Sequence, residues 1–508
     1  MSPGLSAQAA NRVGAEESRT SSYDRLKQAD RQTVSARSAT PQPSRTGHDI
    51  ELPMLDSPGP TGAGADEGRY GPPTIGSAAM CYAIRGVSTV FSLSFFGSLL
   101  VCAIVQRAWS SAVGVVRPRP RRPFADIERV RAAGRSKAQR KVVRDIGYYA
   151  GLVGLEVRSF TVVTPDGFVL DLFRVIVPGE TSAQRRTRYP VLLIHGLLQS
   201  AGAFCMNDED SLAFFLARSG FDVWIGSNRC GFTHRHVEFS YNDPRMWDWD
   251  VRAMATKDLP TFVDHVLDAT GHAQLGLVAH SQGTTETFLA LAREQCPDLG
   301  MRLSVFCALA PAVYAGPLVD RRFFKFIRRM SPLLYRLTFG MHAFIPSMIV
   351  LRDFLPKALL GHLSYAMFHF LFRWSDSRWD RGLRDRMFYF SPVYISAESM
   401  RWWLGRDSFA TRRCIFESDA APWFDRRCPP LALWIAEQDS LVGGDRLLRR
   451  LATVETEVTV VHAEVVPEYE HLDVLWAVDA VDRVFAGVRA TLWRTARNRE
   501  AFRTPLGC

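Results

Sequence analysis

The apolar run Leu275-Gly276-Leu277-Val278 leads straight into Ala279-His280-Ser281-Gln282-Gly283, and a helix-compatible stretch from Thr284 to Glu294 follows. A buried strand, a sharp turn with serine at its apex and then a helix is a nucleophile-elbow arrangement. Such a turn forces Ser281 into a strained backbone conformation and lifts its hydroxyl above the sheet. Strand and helix approach closely there, so the positions two before and two after the serine must be small. Here they are Ala279 and Gly283, and Ala279 departs from the G-x-S-x-G pattern by a single methyl. The elbow makes a demand on the rest of the chain: an acid and then a histidine must follow it, and a loop able to hold an oxyanion must precede it.

From about residue 150 the chain alternates short apolar strands with helical patterns. Val157–Val163 and Phe168–Val177 flank the turn Pro165-Asp166-Gly167 and read as a hairpin. Val191–Ile194, Phe221–Ile225, Leu275–Val278, Leu303–Leu309, Leu431–Ala436 and Val458–Val461 read as further strands. Met254–Thr270 has helical spacing, with Pro260 marking a start or a kink. This alternation predicts an α/β fold with a mostly parallel, doubly covered sheet. The core would occupy residues 150–310 and 426–495. Residues 311–425, between two of the strands, are too long for a loop and rich in aromatic residues, including Phe323, Phe324, Phe368, Phe372, Trp374, Trp402 and Trp403. They predict a mostly helical cap over the carboxyl edge of the sheet, with an apolar pocket for long hydrocarbon groups beneath it.

Residues 1–80, rich in Ser, Pro, Gly, Ala and Arg, predict a disordered tail. Val87–Gln106 is twenty residues without a charge, bracketed by Arg85 and Arg107. That length suits a transmembrane span or a monotopic membrane anchor, although Ser88, Thr89, Ser92, Ser94, Ser98 and Gly97 make it less apolar than most spans. Residues 107–145 carry twelve basic against three acidic residues, nearly the whole excess of a chain with net charge +10. A basic linker directly after an apolar segment points to an anionic membrane surface rather than to nucleic acid, and places the following bulk of the chain on the cytosolic side. Nine scattered cysteines with no CxxC pair, and five asparagines of which none heads an Asn-x-Ser/Thr sequon, argue against a zinc site, a disulfide framework and a lumen-facing domain. No metal or cofactor is expected.

The elbow's demand is met in order. For the acid, Leu431–Ala436 runs into Glu437-Gln438-Asp439, which places Asp439 just past a strand end, with Glu437 and Asp445 as rivals. For the base, His471 follows the last strand within Tyr469-Glu470-His471-Leu472-Asp473 and precedes a helical run from Val474 to Val488, whereas His462 continues that strand and reads as structural. For the oxyanion, Leu192-Leu193-Ile194 opens into His195-Gly196-Leu197-Leu198, so the amides of Leu197 and Gln282 are the natural donors. His195 would shape that loop, and His280 would pack under the elbow.

The segments His195-Gly196-Leu197-Leu198-Gln199-Ser200, His280-Ser281-Gln282-Gly283-Thr284-Thr285 and Glu470-His471-Leu472-Asp473-Val474-Leu475-Trp476-Ala477 resemble those of the acid lipase family. Asp222-Val223-Trp224-Ile225-Gly226, Asn228-Arg229 and Lys257-Asp258-Leu259-Pro260 strengthen the likeness, which covers about 150–310 and 425–480. The cap stretch Ser391–Trp403 and the N-terminal apolar segment are similar to the fungal, membrane-anchored steryl ester hydrolase branch. The resemblance implies an α/β-hydrolase fold, a triad of Ser281, Asp439 and His471, an oxyanion hole at Leu197 and Gln282, and hydrolysis of steryl esters. Triacylglycerol is the alternative substrate within the class. An acyltransferase on the same fold, or a catalytically inactive scaffold on a lipid droplet or membrane, is the alternative outside it.

Overall fold

In the computed structural model the described residues are 75–116 and 122–508; the expected tail lies almost wholly outside them. Eight strands form one sheet in the order β1-β2-β4-β3-β5-β6-β7-β8. They are β1 Glu156–Val163, β2 Val169–Ile176, β3 Pro190–Ile194, β4 Asp222–Ser227, β5 Leu275–His280, β6 Leu303–Leu309, β7 Leu431–Ala436 and β8 Val460–Val466. Strand β2 runs antiparallel to both its neighbours, and β4 through β8 are parallel.

The continuous apolar runs of β3, β5, β6 and β7 are explained by burial on both faces. In β3, Leu192 and Ile194 join a core with Phe262 and Phe288, while Val191 and Leu193 join the opposite core with Phe214 and Leu492. Alternating directions along one strand therefore feed two separate layers of helices. Strand β8 departs from the expected Val458–Val461. It is an edge strand with mostly exposed or half-buried residues, so its sequence is mixed rather than apolar, and His462 lies within it. The helical run after His471 is likewise divided into a turn at Asp473–Trp476 and a helix at Ala486–Thr495 entered through a wide turn. Pro260 lies inside a helical run from Val251 to Thr270, directly after the π-helical turn Met254–Asp258, where the regular hydrogen-bond ladder is already interrupted.

The helix after β5 spans Gln282–Leu291 and passes directly over β3. A Cβ built on Gly283 would lie 2.6 Å from the Ile194 carbonyl oxygen and 2.9 Å from that of His195. Both are backbone atoms at the buried end of β3 and cannot yield, so only glycine permits this crossing. Gly283→Ala is expected to destabilise the protein by about 3 kcal/mol, read as a lowered midpoint in denaturant unfolding; an unchanged midpoint would show that strand and helix can part.

Between β6 and β7 the chain builds the cap, with helices Arg322–Arg329, Pro332–Phe339, Ser347–Phe354, Lys357–Phe372 and Ala397–Leu404. The apolar N-terminal segment is one helix, Ile75–Val116, longer at both ends than the charge-free stretch within it. It packs against the cap helices Pro332–Phe339 and Lys357–Phe372. Phe95 meets the rings of Phe323 and Phe339 at centroid distances of 5.6 and 5.1 Å. Cys81, Ser88, Ser92 and Ala103 form the buried stripe. After the helix, part of the basic stretch 107–145 is tied to the body: Arg131 pairs with Asp210 at 2.7 Å, Arg144 with Asp353 at 3.3 Å, and buried Arg135 with Asp380.

Candidate active site

Ser281 sits at the apex between β5 and its helix with φ 52° and ψ −118°, a conformation that side chains rarely adopt. The turn is clamped from several directions. The Ser281 N–H donates to the Leu309 carbonyl at 3.1 Å, and the Thr284 hydroxyl donates to the Ser281 carbonyl at 2.6 Å. The Ala312 N–H then donates to Thr284 Oγ1 at 2.9 Å, and the Thr285 hydroxyl returns a bond to the Ala312 carbonyl at 2.7 Å. Strain at the apex is thereby held by the strand beside it.

The loop after β8 brings His471 to this apex, with its Nε2 2.8 Å from Ser281 Oγ. Its Nδ1 is 2.6 Å from Asp439 Oδ2, on the turn after β7. The other Asp439 oxygen accepts the amides of Leu441 and Val442 at 2.8 and 3.2 Å, which fixes the carboxylate plane. The side chains of His471 and Asp439 are 1% and 3% exposed, so the chain from carboxylate to imidazole to hydroxyl is shielded from water. The rival acids are elsewhere: exposed Glu437 accepts the Glu468 amide, and exposed Asp445 lies in the first turn of a helix.

The loop after β3 lies against the same serine. A Cβ on Gly196 would fall 2.9 Å from Ser281 Cβ, so this position must stay bare for Leu197 to approach. Among the described residues, no acceptor takes the amide of Leu197 or Gln282. The loop is held by Gln199, whose Oε1 accepts the Gly196 amide at 2.9 Å and lies 3.1 Å from His280 Nδ1. His280 Nε2 lies 3.2 Å from the carbonyl of His471. His280 thus bridges the loop after β3 and the loop after β8 rather than merely filling space. Burial holds its ring well below the usual imidazole range, so it is neutral and donates to one of these two oxygens. Burial likewise lowers His195 to about 4.

Four contributors were not visible in the sequence. Trp374 of the cap stacks on His471 at 5.4 Å with the planes 9° apart, and Phe372 stacks on Trp374 at 4.4 Å. Trp403 of the cap donates its indole N–H to Gln282 Oε1 at 3.0 Å. The Gln282 amide group in turn donates to Glu286 at 3.1 Å, which also accepts from Asn228 at 2.7 Å. Glu286 is fully buried, and burial keeps its carboxyl well above the usual range. The only sequence signal here is the i,i+4 spacing of Gln282 and Glu286. The Asn228-Arg229 and Lys257-Asp258 motifs also meet: Arg229 donates to Asp258 through Nε at 3.0 Å and Nη2 at 2.6 Å, while its Nη1 donates to Asp166 at 2.9 Å.

Glu470, beside His471, accepts the amide of Ser375 from the cap. Burial raises its carboxyl to about 7, and the charges of Asp473 and Asp439 add to the rise. A raised folded-state value means the stabilising form is the protonated one. Its contribution is complete below the unfolded value near 4.5 and is lost as pH climbs through about 7. The melting temperature of the wild type is therefore expected to fall between pH 5 and 8 relative to Glu470→Gln; parallel curves in calorimetry would contradict this.

Above Ser281 and His471 lies a cavity roofed by the cap. Apart from Gln199, His280, Ser281, Ser391 and His471 its lining is apolar. A larger hollow of about 210 Å³ beside β2 shares no lining residue with it. The geometry can take a proton from a serine hydroxyl, stabilise negative charge on a carbonyl oxygen and exclude water from a long hydrocarbon chain.

A family model described as a partial alpha/beta-hydrolase lipase region matches residues 146–208, and one described as the alpha/beta hydrolase fold matches residues 189–302. Sterol esterase 2 of Saccharomyces cerevisiae is 39% identical over 387 residues, covering 68% of this chain and 71% of that protein. Gastric triacylglycerol lipase of Homo sapiens is 28% identical over 352 residues, covering 64% and 85%. Lysosomal acid lipase/cholesteryl ester hydrolase of Homo sapiens is 28% identical over 360 residues, covering 65% and 86%.

Proposed function

Since the chain belongs to the acid lipase-like family of α/β-hydrolases and is a carboxylic ester hydrolase, we propose that it is a membrane-associated serine hydrolase of neutral lipid esters, with steryl esters as the favoured substrate. One observation carries this reading. A serine hydroxyl 2.8 Å from a carboxylate-oriented imidazole opens onto an almost wholly apolar cavity. Small polar esters would gain nothing from such walls, whereas a sterol ring system or a long acyl chain would be drawn out of a lipid phase.

The steps follow from the atoms. Ser281 Oγ attacks the ester carbonyl carbon as its proton passes to His471 Nε2. The carbonyl oxygen gains the charge and is held by the amides of Leu197 and Gln282. Asp439 stabilises the imidazolium through Nδ1–H. The bond to the alcohol oxygen then breaks, and the alcohol leaves with the proton from Nε2. Water enters, loses a proton to Nε2 and attacks the acyl carbon. Collapse returns that proton to Ser281 Oγ and releases the fatty acid. Every group needed is a side chain or backbone amide of the chain itself. Trp374 keeps the imidazole plane in place, and the Trp403–Gln282–Glu286 chain orients the residue that supplies one oxyanion donor.

The substrate is tested by offering purified enzyme cholesteryl oleate and triolein together in mixed micelles and identifying the released alcohol. Free sterol is expected to dominate; dominant diacylglycerol would reassign the protein to triacylglycerol.

A further inference from the structure

The N-terminal helix Ile75–Val116 forms part of a cavity wall. A second cavity, about 130 Å³ against about 100 Å³ for the one over Ser281, lies at the junction of helix Ile75–Val116 with the cap. Phe95, Phe96, Leu99 and Leu100 line it from the helix, and Ser364 is its only polar lining residue. The two cavities share six walls: Leu198, Phe324, Phe368, Phe372, Met400 and Leu404. Among the described residues, no Asp, Glu, Lys or Arg lines either cavity. All six partition residues are apolar side chains that can change rotamer without breaking a hydrogen bond.

The far side of the helix points to what enters. Only 17% of its most apolar window is buried, and Val90, Phe91, Val101 and Val105 are more than half exposed. Its hydroxyl groups are satisfied by its own backbone: Thr89 donates to Arg85, Ser94 to Val90 and Ser98 to Ser94. Over Val90–Val105 the outward face therefore presents hydrocarbon with its exposed hydroxyls bonded within the helix, which suits lipid. The cap helix Pro332–Phe339, packed against it, also exposes Leu333 and Leu334. The cap meets the middle of the apolar segment, at Phe95, so one lipid-facing surface spans helix and cap together.

We infer that the helix–cap cavity is a binding subsite for the hydrocarbon portion of a membrane-resident ester, which reaches Ser281 laterally from the lipid phase along the N-terminal helix. This inference rests on the reading of Ser281 as the nucleophile of a lipid ester hydrolase. The helix would then be a piece of the substrate site as well as an anchor, and the chain's preference for long hydrocarbon groups would depend on residues more than 180 positions before the serine.

The test uses the full-length protein in vesicles and two p-nitrophenyl phosphonates. One carries an eighteen-carbon alkyl chain on phosphorus, the other an eighteen-carbon alkoxy chain, and each chain bears a diazirine near its end. Displacement of p-nitrophenolate by Ser281 Oγ leaves a stable P–O bond with the chain in place. Photolysis followed by trypsin and mass spectrometry then maps the chain end. The cavity-lining stretch of the helix falls within the single peptide Gly86–Arg107, because no Lys or Arg lies between Arg85 and Arg107. Labelling of this peptide by either probe is expected, and the probe that labels it tells whether the acyl or the alcohol side occupies the subsite. Phosphonylated Ser281 with the label mapped elsewhere by both probes would overturn the inference alone. Absence of phosphonylation at Ser281 would instead overturn the reading beneath it. As a second measurement, Leu99→Trp and Leu363→Trp, which fill this cavity only, are expected to lower the ratio of kcat/KM for cholesteryl oleate to that for p-nitrophenyl butyrate at least tenfold; an unchanged ratio in both would contradict it.

Discussion

Replacing Ser281 by Ala is expected to lower kcat by about 10⁴- to 10⁶-fold on both cholesteryl oleate and p-nitrophenyl butyrate. The size follows from what is removed. Without Oγ there is no covalent intermediate, and the amides of Leu197 and Gln282 can assist only direct attack by water, for which His471 Nε2 is the remaining base. The substitution deletes one buried oxygen and no backbone contact. The Ser281 N–H and carbonyl still bond Leu309 and Thr284, and alanine must adopt the same strained backbone. Melting is expected to stay near that of the wild type, so lost activity would be lost chemistry. Retention of hydrolysis at even a tenth of the wild-type rate would mean that another group attacks the ester.

Asp439→Asn is expected to cost about 10⁴-fold in kcat with little change in KM. The amides of Leu441 and Val442 both donate to one Asp439 oxygen, so an asparagine would present its carbonyl to them and its NH₂ to His471. The NH₂ group can only donate, which obliges His471 Nδ1 to accept and moves the ring proton to Nε2. Nε2 would then offer a proton to Ser281 Oγ instead of taking one. The loss should appear at every pH at which the wild type is active, since it arises from the tautomer rather than from a titration. A loss below tenfold would show that the ring is oriented from elsewhere, for which Trp374, stacked on it, is the candidate.

What was legible in the sequence was whatever depends on short-range pattern. β6 and β7 were readable to the residue because both are buried on both faces and must be continuously apolar. As candidates, Ser281, Asp439, Leu197 and Gln282 stand out in the sequence because each lies just past the end of a buried strand, whereas His471 follows the edge strand β8 and stands out only by its order after the acid. β8 was misplaced by two residues at its start and five at its end, since an edge strand with one solvated side need not look apolar. The cap's contributions were illegible for a different reason. Trp374 reaches His471 across 97 positions and Trp403 reaches Gln282 across 121, and no local spacing encodes such pairings. The N-terminal helix shows both limits at once. Its length and lack of charge were plain, but Ser88 and Ser92, which made it look a poor membrane segment, are the stripe that packs on the cap. Gly340 meets that stripe so closely that a Cβ there would lie 2.8 Å from Ser88 Oγ. Ser88 and Ser92 thus mark a packed seam, while Thr89, Ser94 and Ser98 are exposed and bond within the helix.

The most direct measurement is acid quench of the enzyme during turnover of cholesteryl oleate, followed by peptide mass spectrometry. An oleoyl ester on the peptide that contains Ser281, absent from Ser281→Ala, is the predicted result; turnover with no acylated peptide, or with the acyl group on a different residue, would contradict it.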